Sequence, residues 1–446
     1  MLPEQERHLL LSYYGDDLTG STDVMEALSS HGVPTVLFLG IPDEGLMARF
    51  AHCRAIGLAG TSRSETPEWM DANLPQAFAW LKSLGARVSH YKVCSTFDSS
   101  PAIGNIGRAI EIGLRVFGQR AVPLVIGAPQ LRRYTAFGQL FAAYRDKIFR
   151  IDRHPVMSRH PVTPMDEADV LAHLSRQTSL PSLLIDLASL RAPDIGQRID
   201  RAKDSGGIVL LDVSDPETQK IAGKQILRMT DGGAAFCCGS SGVEYALLSA
   251  WQVEQRNGDD AVQASVEPAG KIAVVSGSVS PTTEAQIRYA CDNGFAGIAL
   301  DPLRLCGDEA GRAISEAARD ALGVLADGRS VVLYTALGPA SDQGAELDAG
   351  ARQRLGRSLG RILSQLVERA GLRRVVIAGG DTSSHALVEL GVDALLMRMP
   401  LTQSPGSPLC VAHSWRPAID GLEIAMKGGQ IGLDDYFCVI RDGGAR

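Results

Sequence analysis

Short apolar runs that fail to alternate, each closed by a turn and followed by a segment of helical spacing, constrain this chain more than any other feature. Leu9 to Tyr13, Pro34 to Leu39, Ala55 to Gly60 and Val122 to Gly127 are such runs, and Arg87 to Val93 reads as a further strand among them. A strand that is apolar on both faces needs helices on both sides, which is the environment of a parallel sheet. The first two runs and the helix between them, ending near Ser30-His31-Gly32, make one βαβ unit. A helix begun at Pro67 and another from about Gly104 to Phe117 continue the alternation. Between Arg132 and Asp169 the chain turns rich in Arg, His and Pro, and this stretch reads as loops and short elements around a site rather than as core. The rhythm returns at Leu183 to Asp186 and Gly207 to Asp212, with a helix from about Val243 to Trp251.

A chain of 446 residues is longer than one core usually supports, so two domains are expected. The polar, Gly-containing stretch around Gln255 to Asp260 marks residues 252–270 as a linker between domains at 1–251 and 271–446. In the second domain, strands are expected at 271–276, 297–300, 330–336 and 373–378, and helices at about 282–293, 308–326, 350–370 and 383–390. Its tail, Leu395 to Met399, Leu409 to His413, Glu423 to Lys427 and Tyr436 to Ile440, reads as short strands joined by Gly/Pro turns. The expected fold class is therefore α/β in two domains. The first has a mostly parallel sheet with flanking helices, and the second is an α/β domain with a mixed sheet.

The net charge of −7 and the lack of any Lys/Arg block argue against a nucleic-acid partner or an anionic membrane surface. No apolar run reaches the length of a membrane span, and Met-Leu-Pro-Glu-Gln-Glu-Arg lacks the basic-then-apolar pattern of a signal peptide. Eight cysteines without Cys-x-x-Cys spacing are expected to be reduced thiols in a cytoplasmic protein. Composition leaves a homo-oligomer open.

The first run leads into Gly15-Asp16-Asp17-Leu18-Thr19-Gly20-Ser21-Thr22-Asp23, a strand-to-helix turn with three aspartates. Ligands of open α/β sheets bind beyond the carboxyl ends of the strands. Adjacent carboxylates there repel one another and lose hydration unless a cation or substrate hydroxyls use them. Asp17 or Thr19 would also serve as a helix cap. Among the cations of the first half, Lys92 and Arg133 are the preferred site residues, whereas Arg153, His154 and Arg159 are expected to be solvated. Carboxylates for hydroxyls and a guanidinium for an acid group together suit a polyhydroxy acid.

The second half holds three Gly/Ser turns: Ser276-Gly277-Ser278-Val279-Ser280-Pro281, Gly379-Gly380-Asp381-Thr382-Ser383 and Lys427-Gly428-Gly429-Gln430-Ile431-Gly432. Backbone N–H groups and hydroxyls at helix starts can cradle phosphate, and Lys427 can serve as a point charge on it. Together they favour a nucleotide, although none matches a Walker loop or a dinucleotide fingerprint.

These motifs, in this order, resemble the four-carbon acid sugar kinases over nearly the full length. Gly15 to Asp23 is similar to that family's Ala-Asp-Asp-x-Thr-Gly-Ala-x-Asp, Arg133-Tyr134-Thr135-Ala136-Phe137-Gly138 to its Arg-Thr-x-x-x-Gly, and His160-Pro161-Val162-Thr163-Pro164-Met165 to its His-Pro-Met-Thr-Pro-Met. The three Gly/Ser turns resemble its Ser-Gly-Ser-x-Ser-Pro, Gly-Gly-Glu-Thr-Ser and Lys-Ser-Gly-Asn-Phe-Gly segments. The resemblance implies acid-sugar binding by the first domain and ATP binding by the second. It departs where the family carries Lys-x-Asp-Ser-Thr-Leu-Arg-Gly-Asn. Here Lys92-Val93-Cys94-Ser95-Thr96-Phe97-Asp98 puts Cys94 in place of an acid and Asp98 in place of an arginine. An unpaired carboxylate beside a substrate carboxylate would cost affinity, so the expected substrate is a branched or oxo-acid relative of the tetronates, such as 3-oxo-isoapionate. Asp381 stands one methylene short of the family's Glu.

The function implied is ATP-dependent phosphorylation of a sugar-acid hydroxyl with Mg²⁺, and no metal ligands are assigned. Asp17 would orient or deprotonate that hydroxyl and Asp16 would support it. Ser95 and Thr96 would hold hydroxyls and Arg133 the carboxylate, with Lys92 beside them. Two alternatives are a catalytically silent sugar-acid sensor and a nicotinamide-dependent oxidoreductase.

Overall fold

A computed structural model describes residues 9–160, 162–231, 235–251, 265–341, 347–401 and 404–444. The chain forms two compact units, Met1–Arg256 and Asn257–Arg446. Residues 252–264 of the expected linker lie outside the described residues.

In the first unit, in chain order, the strands are β1 (Leu11–Gly15), β2 (Thr35–Phe38), β3 (Ala55–Ala59), β4 (Val88–Lys92), β5 (Ala121–Val125), β6 (Arg133–Ala136), β7 (Gln139–Tyr144), β8 (Lys147–Arg150), β9 (Ser182–Ile185), β10 (Gly207–Leu211) and β11 (Ala235–Gly239). The main sheet runs β2-β3-β1-β4-β11-β5-β10-β9, with every pairing parallel. Because β1 leaves by one helix to β2 and the chain later crosses back to β4 on its other side, the strand order reverses around β1. The loops after β1, β3 and β4 therefore open side by side at one edge, the position where such sheets bind ligands.

β1, β4, β5, β10 and β11 are buried along their whole length, which explains why their sequences do not alternate. The helix Ile106–Phe117 lies so close to β11 that a Cβ on Gly113 would come within 2.3 Å of the Phe236 ring. β11 itself, Ala-Phe-Cys-Cys-Gly, carries little strand propensity and was not expected from the sequence. A buried polar strap reinforces this region: His90 on β4 sits 2.5 Å from Glu244 and 3.1 Å from the Gly239 carbonyl, and both His90 and Glu244 are inaccessible to solvent.

The Arg132–Asp169 stretch corrects its sequence reading. It contains a three-stranded antiparallel sheet, β6-β7-β8, rather than loops and short elements alone. Phe137 and Gly138, both with positive φ (51° and 78°), form a two-residue turn of the kind that matches strand twist. His154 is a second correction: it is 4% exposed, packed against Tyr144 and Phe149, because the small sheet needs an apolar face of its own. Arg153 and Arg159 are exposed, as expected.

In the second unit the strands are β12 (Ala273–Ser276), β13 (Phe295–Ala299), β14 (Ser330–Tyr334), β15 (Arg374–Ala378), β16 (Ala394–Met399), β17 (Leu409–His413) and β18 (Glu423–Lys427). The sheet is mixed. The order β13-β14-β12-β15-β18 is parallel, while β17 runs antiparallel to β18 and to β16. The last expected strand is a helix, Tyr436–Arg441, which packs Tyr436, Phe437, Cys438 and Ile440 into the core beside Val274, Val376 and Ala425. A five-residue apolar run, Tyr436 to Ile440, satisfies either period, and here its burial against one sheet face selects the helix.

Candidate active site

The acidic turn is built around one arginine that sequence reading missed. β1 ends at Gly15, Asp16 hydrogen-bonds through its backbone N–H to the Lys92 carbonyl, and Arg63 reaches the Asp16 carbonyl in the same way. These bonds seat the short 3₁₀ turn Ser62–Ser64 beside the aspartates. The Arg63 guanidinium then donates from Nε and Nη2 to the two oxygens of Asp16, at 3.1 and 2.9 Å, and from Nη1 to Asp17 at 2.7 Å. The Asp16 side chain is 5% exposed and that of Asp17 29%. Burial pushes the Asp16 carboxyl up, with Arg63 opposing it. Burial would pull the Arg63 guanidinium down, but Asp16 and Asp17, with Cys94 and Asp98, hold it well above its ordinary range.

Asp17 has two roles. As the N-cap of the helix Leu18–Ser30, it accepts from Gly20 N–H at 2.6 Å, which leaves its other oxygen for Arg63. Gly20 is required by space: a Cβ there would lie 2.7 Å from Asp17 Oδ1 and 3.0 Å from Lys92 Nζ. Lys92, 2% exposed at the end of β4, sits 3.7 Å from Asp23. Burial would lower the Lys92 ammonium, but Asp23 and Asp16 outweigh it and raise its pKa. Lys92 and Asp23 thus form a second buried ion pair beside the first.

The loop that departs from the family pattern lies against this cluster. Thr96 donates to Asp98 at 2.5 Å, and Cys94 Sγ is 2.9 Å from the same Thr96 hydroxyl. Burial works against the Asp98 carboxylate, yet Arg63, the Thr96 hydroxyl and His160 hold it below the usual carboxylate range. The expected unpaired charge at Asp98 is therefore corrected: it is hydrogen-bonded and shares the field of Arg63. Phe97, inaccessible to solvent, takes a positive φ of 57°, and Ser99 is held by His173 and Gln177 at 2.9 and 2.8 Å. The loop is thus anchored on both sides of Phe97. Ser95 is half-buried within it.

Arg133 begins β6. Its Nη1 faces the carbonyls of Leu131, Arg132 and Ala143, while its Nε is buried with no hydrogen-bonding partner among the described residues. Burial, the largest influence, lowers its pKa, with Cys94 the first opposing group. Nearby, Asp212 beyond β10 accepts from Gly138 N–H and is pushed by burial up to about 6. It holds the Phe137–Gly138 turn.

In the second unit the three Gly/Ser turns follow β12, β15 and β18, adjacent parallel strands whose carboxyl ends share one edge. A Cβ on Gly277 would sit 2.3 Å from Thr382 Oγ1, so the first two turns touch. Gly379 has φ 119° and caps the helix Gly380–Leu390, and Ser280 caps the helix Pro281–Asp292. Ser276 and Ser383 are buried and serve their own loops: Ser276 accepts from Ser278 N–H, and Ser383 donates to the Gly379 carbonyl. Asp381 contributes backbone to its helix, and its side chain lies outside the described residues. Lys427 is 1% exposed, donates to Thr283 at 2.9 Å, and is lowered by burial to about 8. Gly428 and Gly429 follow it with backbone N–H groups that have no acceptor among the described residues. This edge offers hydrogen-bond donors and one lysine, the chemistry of a polyphosphate site. A cavity of about 450 Å³ lined by Arg373, Arg374 and Arg398 lies at the opposite ends of β15 and β18. Arg374 there is committed to Glu423 and to backbone carbonyls.

A carboxylate-rich edge in one α/β unit and an edge of N–H donors with a lysine in the other have the chemistry that a two-domain phosphotransferase requires. Residues 11–247 match the family model of a sugar-binding N-terminal domain, and residues 273–437 that of a nucleotide-binding C-terminal domain. The chain belongs to the four-carbon acid sugar kinases and is a sugar-acid kinase. It is 45% identical to a 3-oxo-isoapionate kinase of Paraburkholderia graminis, over 98% of this chain and 94% of that one. It is 31% identical to a 3-oxo-tetronate kinase of Methylobacterium radiotolerans, over 96% and 98%. Among solved structures it resembles in fold a Salmonella typhimurium protein described as a putative tRNA synthase (TM-score 0.75, 23% identity, 97% and 98% covered) and a Haemophilus influenzae protein (0.72, 22%, 96% and 99%). These relatives favour neither the silent sensor nor the oxidoreductase. No helix among the described residues is long and apolar enough to cross a membrane.

If Lys427 meets the nucleotide, binding depends on pH with a fixed sign. Above about 8 the free lysine is neutral, so an anionic ligand must first recharge it. Nucleotide affinity should then fall by up to about tenfold per pH unit above that point. Calorimetric titration with ADP between pH 7 and 9.5 measures this, and a flat profile would remove Lys427 from the site.

Proposed function

We propose that this sugar-acid kinase transfers the γ-phosphoryl group of ATP to a hydroxyl of a branched or oxo sugar acid of the 3-oxo-isoapionate kind, the substrate class named for its 45%-identical relative. The observation that carries the site assignment is the contrast between two arginines. Arg63 commits its Nε–H and one N–H from each terminal nitrogen to Asp16 and Asp17, whereas Arg133 keeps a buried Nε–H without an acceptor among the described residues. A buried guanidinium donor left unmatched costs about 1–3 kcal/mol, which a substrate carboxylate oxygen would relieve. Arg133 therefore grips the acid group and the acidic turn takes the hydroxyls.

The reacting hydroxyl lies against Asp17, the more exposed of the paired carboxylates, which orients it and takes its proton as the oxygen attacks phosphorus and ADP leaves. Arg63 keeps Asp17 in one rotamer, with Asp16 behind it. Lys92 neutralises Asp23, so that the turn tolerates an anionic substrate. Asp98, which accepts from Thr96, stands where the family's loop carries an arginine, which suits an acid with an additional polar branch. In the second unit, the N–H groups of Gly428 and Gly429, the Gly379–Thr382 turn and Lys427 hold the phosphates. Mg²⁺, entering with the nucleotide, would neutralise charge on the phosphates. No group of three or more Asp, Glu, His or Cys side chains among the described residues could hold a metal ion, and Mg²⁺ that arrives with a nucleotide needs only one or two carboxylates beside the phosphates and water. ATP supply places the reaction in the cytoplasm.

Incubating the enzyme with ATP, Mg²⁺ and a panel of tetronates, 3-oxo-tetronates and 3-oxo-isoapionate, followed by mass spectrometry, tests the reading. The phosphorylated 3-oxo-isoapionate should dominate. A preference for plain threonate, or ATP consumption without a sugar phosphate, would overturn it. Asp17→Asn should lower turnover by at least about 100-fold while ADP binding stays within twofold; near-normal turnover would remove Asp17 from its role.

A further inference from the structure

Thr283 was not singled out by any sequence motif. It lies one turn into the helix Pro281–Asp292 and is inaccessible to solvent. Its hydroxyl nevertheless touches two of the three nucleotide turns: it is 3.0 Å from Ser278 Oγ, 3.1 Å from the Gly429 carbonyl and 2.9 Å from Lys427 Nζ. A hydroxyl has one proton and two lone pairs, and Lys427 is always a donor when charged. The Gly429 carbonyl can only accept, so it takes the Thr283 proton. The Ser278 oxygen, toward which the same Thr283 proton can also turn, accepts from Ser280 N–H at 3.3 Å.

Lys427, 1% exposed, has Thr283 as its hydrogen-bond partner among the described residues, which leaves two of its three N–H directions for a ligand. The Gly429 carbonyl accepts from Thr283, which fixes the Gly429–Gln430 peptide that closes the Gly428–Gly429 turn.

We propose that Thr283 is a positioning residue for nucleotide binding: its hydroxyl fixes the Lys427 ammonium and the Gly429 peptide in the arrangement that receives the polyphosphate. This rests on the assignment of the nucleotide to the second unit, and the experiment separates the two. Thr283→Val keeps shape and removes the hydroxyl, while Thr283→Ser restores it. The valine variant should raise the ATP KM and the ADP dissociation constant at least tenfold, with the sugar-acid KM within twofold and the thermal midpoint near that of the wild type. The serine variant should recover to within threefold of wild type, and Ser278→Ala should cost less than Thr283→Val. Should the valine variant fail to fold, Thr283→Ala against Thr283→Ser reads the same hydroxyl.

An ATP KM within twofold of wild type in the hydroxyl-less variant overturns the inference, as does a serine variant as impaired as the valine one. Lys427→Met provides the control. If it weakens ADP binding while Thr283→Val does not, the inference alone fails. If neither change affects ADP binding, the nucleotide assignment fails with it.

Discussion

Arg63 is the interaction on which the acceptor site depends. Two adjacent carboxylates at the end of β1, one of them 5% exposed, could not both stay charged without a cation held in place between them. Arg63 meets this need with a planar fork, two N–H groups to Asp16 and a third to Asp17, which a lysine cannot reproduce. Removing one partner from such a pair when it is buried costs about 3–5 kcal/mol; the partial exposure of Arg63 puts this case toward the lower end. The geometry of the pair depends in turn on the parallel pairing of β1 with β3 and β4, which brings residues 16, 63 and 92 to one edge although they are far apart in the chain.

The two units apply opposite electrostatic logic to the same architecture. In the first, burial and ion pairing leave a carboxylate, Asp17, partly exposed with a fixed rotamer, suited to hydroxyls. In the second, the carboxyl edge of β12, β15 and β18 presents backbone N–H groups and a lysine whose pKa burial lowers to about 8. On the proposed assignment a sugar acid and a nucleotide are sorted by the charge of the loops, and in both units those loops follow parallel strands.

Much of this was legible in the sequence where local pattern and tertiary environment agree. The non-alternating runs became buried parallel strands, and the three Gly/Ser turns fell at the ends of three neighbouring strands. Legibility failed where meaning depends on distant partners. Arg63 lies in an ordinary Thr-Ser-Arg-Ser turn, and only strand pairing places it between two aspartates. Thr283 looks like any helical threonine until β18 is laid beside it. Asp98 read as an unpaired charge because its partners, Thr96 and Arg63, are set by the loop's fold. The segment Tyr436–Arg441 shows the other limit: a short aromatic and β-branched run reads as a strand, and burial made it a helix.

The most direct test of Arg63 is the kinetics of Arg63→Lys, which keeps the charge and removes the fork. If the fork fixes Asp17 for chemistry, kcat/KM for the sugar acid should fall by about 100-fold, roughly 2.7 kcal/mol, with ADP affinity unchanged. Turnover within a few-fold of wild type, or a loss of ADP affinity as large as the loss of turnover, would contradict it.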